Sequence, residues 1–279
     1  MMNSAAIQSL QNQCVSNPIA LTDEQIQNLI PRGLVSSPTN PYVSKRYVFA
    51  STSNVIEDMK KLGWDVISAA QTRTRSAIRS YHRVSFQNSN IKITKVVDGV
   101  KEVVCYPRII LTNSHDGFNA FHFMIGLYQV RTGSTLIMQT KDCADIVIRH
   151  VAYTFDQLRL AVQTITNQVI EQAQFMNLMQ SVTLNKDMQK EFALNSIRIR
   201  QNDPEVICLD EDLDDLISGS ESDSLWDVFN NIQQKLMSGN FYMIGKNGKA
   251  RKARRITSIM KDISFNKQLF SEAASYVMG

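Results

Sequence analysis

The chain has 279 residues, 43% hydrophobic and 20% charged, which suffices for one large core or two smaller domains and excludes a wholly disordered chain or a fibrous repeat. No apolar run of about 18 residues occurs, and the start MMNSAAIQSLQNQCVSN lacks the basic and then apolar regions of an export signal, so a soluble intracellular protein with no membrane partner is expected. The net charge of +4 hides segregation: twelve Lys or Arg against four acids from Arg32 to Lys101, ten acids and no base from Asp203 to Asp227, seven bases and no acid from Lys246 to Lys261. Such blocks suit an electropositive face for a polyanion and a separate acidic surface, or they neutralise each other on folding.

The first residues are polar and rich in Gln and Asn and read as a loosely held arm. A short helix is expected over Thr22 to Leu29, with Asp23 and Glu24 favouring its first turn and Pro31 its end. PRGLVSSPTNPY, with three prolines and a glycine, is a connector. YVSKRYVFAS reads as a strand from its β-branched and aromatic residues and feeds a helix over 54–62, where Asn54 and Glu57 have capping-box spacing and Gly63 ends the run. After Trp64, QTRTRSAIRSYHRVSF is either an edge strand or a basic loop before one. The alternation of Tyr81, Arg83 and Ser85 against His82, Val84 and Phe86 marks its end as strand.

The strongest antiparallel signal follows. Asp98-Gly99, both tolerant of positive φ, is a hairpin turn, and residues 91–97, 101–111 and 120–130 read as consecutive strands. Between the last two lies LTNSHDGFNAFHFMIG, where Asn113, Asp116 and Gly117 supply turn chemistry. From Thr154 the period changes: Phe155, Leu158, Val162, Ile165, Val169, Met176 and Met179 define one apolar side of a helix of about seven turns. A helix that long packs across a sheet, pairs with its own copy in a homo-oligomer, or does both. Further helices are expected over 187–198 and 225–237, then a strand, a basic Gly-rich turn, another strand or helix, and a terminal helix. The fold class is therefore α+β: an antiparallel hairpin sheet over 43–131 backed by the helix at 154–180, with an additional C-terminal α/β portion. The domain plan is a polar arm (1–31), a main domain (32–200), an acidic linker (201–224) and a C-terminal segment packing on the main domain (225–279).

His115, Asp116, His122 and His150 are the candidates for chemistry. A metal-dependent phosphodiesterase needs about three ligands converging around an open water position, whereas the histidines here are separated by seven and then twenty-eight residues with no HExxH or paired-carboxylate pattern. In the structural alternative, Asp116 and Ser114 accept backbone hydrogen bonds, Gly117 takes a positive φ, His122 lies on the sheet face opposite Phe121 and Phe123, and His150 bonds locally. No GxxxxGK[ST], GxGxxG or GxSxG motif occurs. The four cysteines stand apart without a CxxC pair and read as isolated thiols. No catalytic residue, metal or cofactor is assigned.

RTRSAIRSYHR offers Arg73, Arg75, Arg79 and Arg83 with Tyr81 among them. Guanidinium forks contact phosphates and an aromatic face stacks on an unpaired base, so this mixture suits single-stranded nucleic acid. KNGKARKARR adds Arg251, Lys252, Arg254 and Arg255 as a second patch. Solvated surface charge is the alternative for either.

YVSKRYVFASTSNVIEDMKKLGW, IILTNSHDGFNAFHFMIGLYQVRTG, the IRH of Ile148 to His150 and GKNGKARKARRITSIMKDISFNKQLF resemble successive landmarks of a phage- and plasmid-associated family of unknown function, number 932 among such domains, over about residues 40 to 275. The resemblance maps onto Asn113, Ser114, His115, Asp116, Gly117, Arg131, Arg149, His150, Arg255 and Asn266. The family's Cys-x-Asn after the arginine matching Arg131 is replaced here by TGSTL. The resemblance implies a phage or mobile-element protein in the cytoplasm of an infected or host bacterial cell, used near DNA replication or recombination. A hairpin sheet followed by a long helix is also similar in element order to phage single-strand annealing proteins. The leading expectation is thus binding of single-stranded DNA or RNA, with strand annealing by a homo-oligomer, to which Arg131 also contributes. The alternative is binding of a host or phage protein through the acidic segment and the long helix.

Overall fold

The structure, a computed structural model, describes residues 19–45, 47–97, 100–129, 135–137, 146–148, 154–239, 241–244 and 250–278. In helix α1 (Asp23–Leu29) the Thr22 hydroxyl accepts from the Gln25 N–H while the Gln25 side chain accepts from the Thr22 N–H, a reciprocal cap. Leu21, Ile26 and Ile30 are buried in the main core and the Leu21 N–H bonds to the Val66 carbonyl. The expectation of a loosely held arm is thereby corrected for residues 21–30: these apolar side chains anchor the segment despite its polar neighbours. Helix α2 (Thr52–Lys61) begins two residues before the expected start, because Ser51 rather than Asn54 supplies the capping oxygen. Gly63, at φ +81°, ends it as expected.

The expected strand at YVSKRYVFAS does not form among its described residues. Tyr47 and Phe49 are instead turned onto the 113–115 segment, with the Tyr47 hydroxyl 3.5 Å from the Ser114 carbonyl and the Phe49 ring 4.8 Å from that of His115. The sheet begins at β1 (Asp65–Gln71) and continues with β2 (His82–Gln87), β3 (Ile93–Val97), β4 (Val100–Asn113), β5 (Phe121–Gln129), β6 (Thr135–Ile137) and β7 (Ile146–Ile148). Its order is β1-β2-β4-β5-β6, with β3 also on β4 and β7 also on β5.

Strand β4 organises this sheet. It pairs antiparallel with β3 through residues 100–105, with β2 through 108–113 and with β5 through 105–112. Pro107, which has no N–H to offer, falls where β4 changes partner from β3 to β2. The Val97↔Val100 pair leaves the expected two-residue connection; Asp98 and Gly99 themselves lie outside the described residues. Val84, Phe86, Ile109, Leu111, Phe123 and Ile125 form the core face, packing with Val55, Ile56 and Met59 of α2 and with Leu158, Val162 and Ile165 of helix α3 (Phe155–Ser181). On the opposite face Arg108, only 5% exposed, lies 3.8 Å over the Tyr128 ring and donates to the Gln87 side chain; burial lowers its pKa to about 9.

The chain divides into two compact units, Met1–Leu136 with Cys143–Val169 and Ile137–Asp142 with Ile170–Gly279. The second contains helices α4 (Lys186–Gln201), α5 (Asp210–Ile217), α6 (Leu225–Ser238) and α7 (Ile259–Met278) and the ribbon β8 (Tyr242–Ile244) with β9 (Ala250–Lys252). Its core rings come from α3, α4, α6 and α7: Phe175 and Phe270 lie 5.3 Å apart, and Phe229 meets Phe270 edge-on at 6.4 Å. The boundary thus falls within α3, not at the acidic segment, because α4 buries Phe192, Ala193 and Ile197 with the C-terminal helices. Nor is 201–224 a plain linker: α5 buries Leu213, Leu216 and Ile217, an apolar stripe among the acids.

Gly219 and Gly239 both have φ near +80°, but a Cβ at Gly239 would meet the Arg254 carbonyl carbon at 2.3 Å, while nothing lies within 4 Å of one at Gly219. Gly239→Ala is expected to cost about 2 kcal/mol or more and Gly219→Ala about 1 kcal/mol, measured by urea unfolding; equal losses would contradict the close approach.

Candidate functional site

The SHDG stretch connects β4 to β5 and is buried up to Asp116, with Gly117 exposed. Asn113, Ser114, His115 and Asp116 are all at or below 1% exposed. The Asp116 carboxylate accepts from three donors: the Ser80 N–H (3.2 Å), the Phe118 N–H (3.0 Å) and the Ser114 hydroxyl (2.6 Å). Ser114 Oγ in turn accepts from the Asn119 N–H, and the Asp116 carbonyl accepts from Asn40 Nδ2. Gly117, at φ +76°, lets the chain reverse where a side chain would be strained, and a Cβ there would stand 3.1 Å from the Val43 side chain. A buried carboxylate satisfied by this many donors is a structural anchor. Its negative charge also helps burial to raise the Tyr47 pKa to about 12.

Beneath the turn the two buried histidines are His115 and His82, with ring centroids 5.2 Å apart, bridged by the Thr52 hydroxyl. Their partners assign the protons. His82 Nδ1 lies 2.6 Å from the Ser80 carbonyl and must donate to it, leaving Nε2 to accept from Thr52 Oγ1 at 2.9 Å. His115 Nε2 donates to the Gly33 carbonyl at 2.9 Å and shares that proton with Thr52 Oγ1 at 3.2 Å. Asn113 Nδ2 supplies a further donor to Thr52 Oγ1. One hydroxyl therefore donates once and accepts twice. Gly33 is required here, since a Cβ would stand 2.9 Å from the His82 ring.

Above the turn, residues 72–81 form the loop between β1 and β2, closed by the Thr72 N–H on the Tyr81 carbonyl. The sequence allowed an edge strand or a basic loop; it is a loop, with Arg73, Arg75 and Arg79 exposed. Arg32 braces it from beneath, its Nη1 donating to the Ser76 and Arg79 carbonyls. The Arg79 guanidinium lies 3.9 Å over the ring of Phe118. Tyr81 is half-buried with its hydroxyl on Thr112, and Arg83 is half-buried on β2 opposite Thr112. In the second unit Arg251, Lys252, Arg254 and Arg255 are exposed around β9. The two basic patches thus belong to different units.

Of the candidates for chemistry, His115 and Asp116 lie together in the turn, while His122 stands on β5. His122 sits in β5 between Thr112 and Val147, on the face away from the core, and it is His82 that meets His115. Arg131, Arg149 and His150 lie outside the described residues. No group of three or more His, Cys, Asp or Glu able to hold a metal ion occurs among the described residues, and the Asp116 carboxylate already serves three donors. Asn266, which the family resemblance also marked, is fully buried, bonding Gln233 at 2.7 Å and Asp262 at 2.7 Å within the second unit. Sequence reasoning missed Gly33, Asn40, Thr52, Ser80 and Phe118 as members of the site. Only the position of Phe118, one residue after an Asp-Gly turn, gave any signal.

The fold and this turn define an α+β protein in which a buried polar knot carries a basic loop. Residues 41–269 match the family described as Domain of unknown function (DUF932), and the chain belongs to that family. It is similar to the UPF0380 proteins YfjQ and YafZ of Escherichia coli (strain K12), each 23% identical over 253 residues, covering 90% of this chain and 89% of theirs. No solved structure matches. Thr52, Ser80, His82 and the 113–118 turn fall inside the matched span, while Gly33 and Asn40 precede it.

Burial, with the His115 ring alongside, lowers the His82 pKa from 6.5 to about 3, against the opposing pull of the Ser80 carbonyl and Asp116. The unfolded chain therefore binds a proton at His82 that the folded chain refuses between those values. Stability from this residue is complete above pH 6.5 and declines as pH falls towards 3, by up to about 1.4 kcal/mol per pH unit. Urea midpoints at pH 7.5, 6.5 and 5.5 are expected to fall over the last step; constant midpoints would contradict a buried neutral His82.

Proposed function

We propose that this is a phage or mobile-element protein that binds single-stranded nucleic acid through the 72–81 loop. The observation that carries the reading is the presentation of Arg73, Arg75 and Arg79 on one exposed loop that is held by Arg32, which donates to the Ser76 and Arg79 carbonyls, and by the buried Asp116 carboxylate, which accepts from the Ser80 N–H. Arginines carried on a loop held in this way meet successive phosphates with less backbone ordering than they would on a free segment. Arg251, Lys252, Arg254 and Arg255 offer a second basic contact on the other unit, and a homo-oligomer holding two complementary strands would promote their annealing. Arg83 acts from its half-buried place on β2 by adding positive potential, and Tyr81 shapes the loop end through Thr112 rather than by stacking.

The competing reading, a host or phage protein held by the acidic segment and α3, is less favoured because part of that acidity is used internally. Lys186 and Lys190 pair with Asp214 at 3.2 and 3.1 Å, and Lys190 also reaches Asp210 at 3.8 Å. These contacts leave α5 less of an unpaired acidic surface to offer.

The test is titration of labelled single-stranded DNA and RNA across salt concentrations. The double variant Arg73→Ala/Arg75→Ala is expected to weaken binding of all sequences alike and to lower the slope of log affinity against log salt by about 1 to 2. An unchanged slope, or no low-salt association of the wild-type protein with any strand, would overturn the reading.

A further inference from the structure

We propose that Phe118, stacked on one side by Arg79, is a platform for an unpaired nucleobase, which makes the site selective for the bases of a single strand and not only for its phosphates. This inference rests on the nucleic-acid reading above and adds to it the chemical group that fills the site. Phe118 is 54% exposed although the Arg79 guanidinium covers it at 3.9 Å, so much of the side chain is left to solvent. The ring is held at the surface by the Arg79 guanidinium and by what holds its backbone. Here the Phe118 N–H donates to Asp116 Oδ1, while Asp116 Oδ2 accepts from Ser80, the residue after Arg79. The same buried carboxylate thus fixes both members of the stacked pair.

The surroundings suit a base. Tyr42, 89% exposed, is tied to the same turn through Asn40, whose Oδ1 accepts the Tyr42 N–H and whose Nδ2 donates to the Asp116 carbonyl. Arg73 and Arg75 stand on the loop that carries Arg79. A flat aromatic face already bearing a cation on its reverse side, with arginines beside it, matches a base attached to a phosphate chain. In a duplex both faces of each base are occupied by their neighbours, so such a platform discriminates against paired strands.

The experiment compares the full-length wild-type protein with Phe118→Ala and Phe118→Trp, using a 20-nucleotide thymidine strand, an abasic strand of equal length and charge, and a blunt duplex. The side chain is largely exposed and its anchoring bond is made by the backbone, so Phe118→Ala is expected to keep the wild-type unfolding midpoint. Wild-type protein should bind the base-bearing strand about tenfold more tightly than the abasic one. Phe118→Ala should abolish that preference without changing affinity for the abasic strand, and Phe118→Trp should retain it. Equal wild-type affinity for both strands, or an equal loss on both in Phe118→Ala, overturns the platform while leaving the arginine-loop reading intact; failure to bind either strand overturns both.

Discussion

The Asp116 carboxylate, accepting from the backbone of Ser80 on one loop and of Phe118 on another, joins two loops that are distant in sequence but adjacent in the sheet. An anion held in a nearly solvent-free site is tolerated only when its lone pairs meet donors, and charge-assisted bonds to backbone amides are the strong kind. The interaction therefore has two consequences. It fixes the path of the chain at the start of β2 and the end of β4, and it commits the carboxylate to structural hydrogen bonds.

The histidines follow the same logic. With His82 donating to the Ser80 carbonyl and His115 to the Gly33 carbonyl, each ring is spent on fastening a different segment, and Thr52 at the start of α2 closes the circuit between them. A network of this kind is stabilising only when every member is satisfied, since a single removed donor leaves others buried without partners. The apolar core below, built from α1, α2, α3 and one sheet face, supplies the burial that makes these bonds matter. The basic loop and Phe118 stand on the solvent side of this support, which holds their backbone in place.

Much of the fold is readable in the sequence because its signals are local. The Leu158, Val162 and Ile165 stripe, the alternation of His82, Val84 and Phe86, and the two-residue Asp98-Gly99 connection each rest on periodicity or turn chemistry, and α3, β2 and the β3–β4 pairing follow from them. Two segments mislead for opposite reasons. YVSKRYVFAS has strand composition, but its Tyr47 and Phe49 are drawn onto the 113–115 segment; DVISAAQ, with two alanines and a serine, has weak strand composition but is paired as β1 through tertiary packing. The turn itself is legible as a turn. That Ser80, Thr52 and Gly33 complete it is not, because those partners come from as far as 82 residues away and their residue types are ordinary on their own. Separation into units within α3 is equally hidden, since a continuous helix shows no break in its period.

Membership in the DUF932 family places this arrangement in a group named for its unknown function. Among the described residues no helix is long and apolar enough to cross a membrane. The central claim is that a rigid buried knot holds the 72–81 loop and the 117–119 turn for a single strand. Hydrogen–deuterium exchange with and without a single-stranded oligonucleotide tests it most directly. The account predicts that amides of 113–116 and Ser80 exchange slowly in the free protein, and that the strand adds protection to the 72–79 and 117–119 segments. Fast exchange at 113–116 in the free protein, or ligand protection that spares both surface segments, would contradict it.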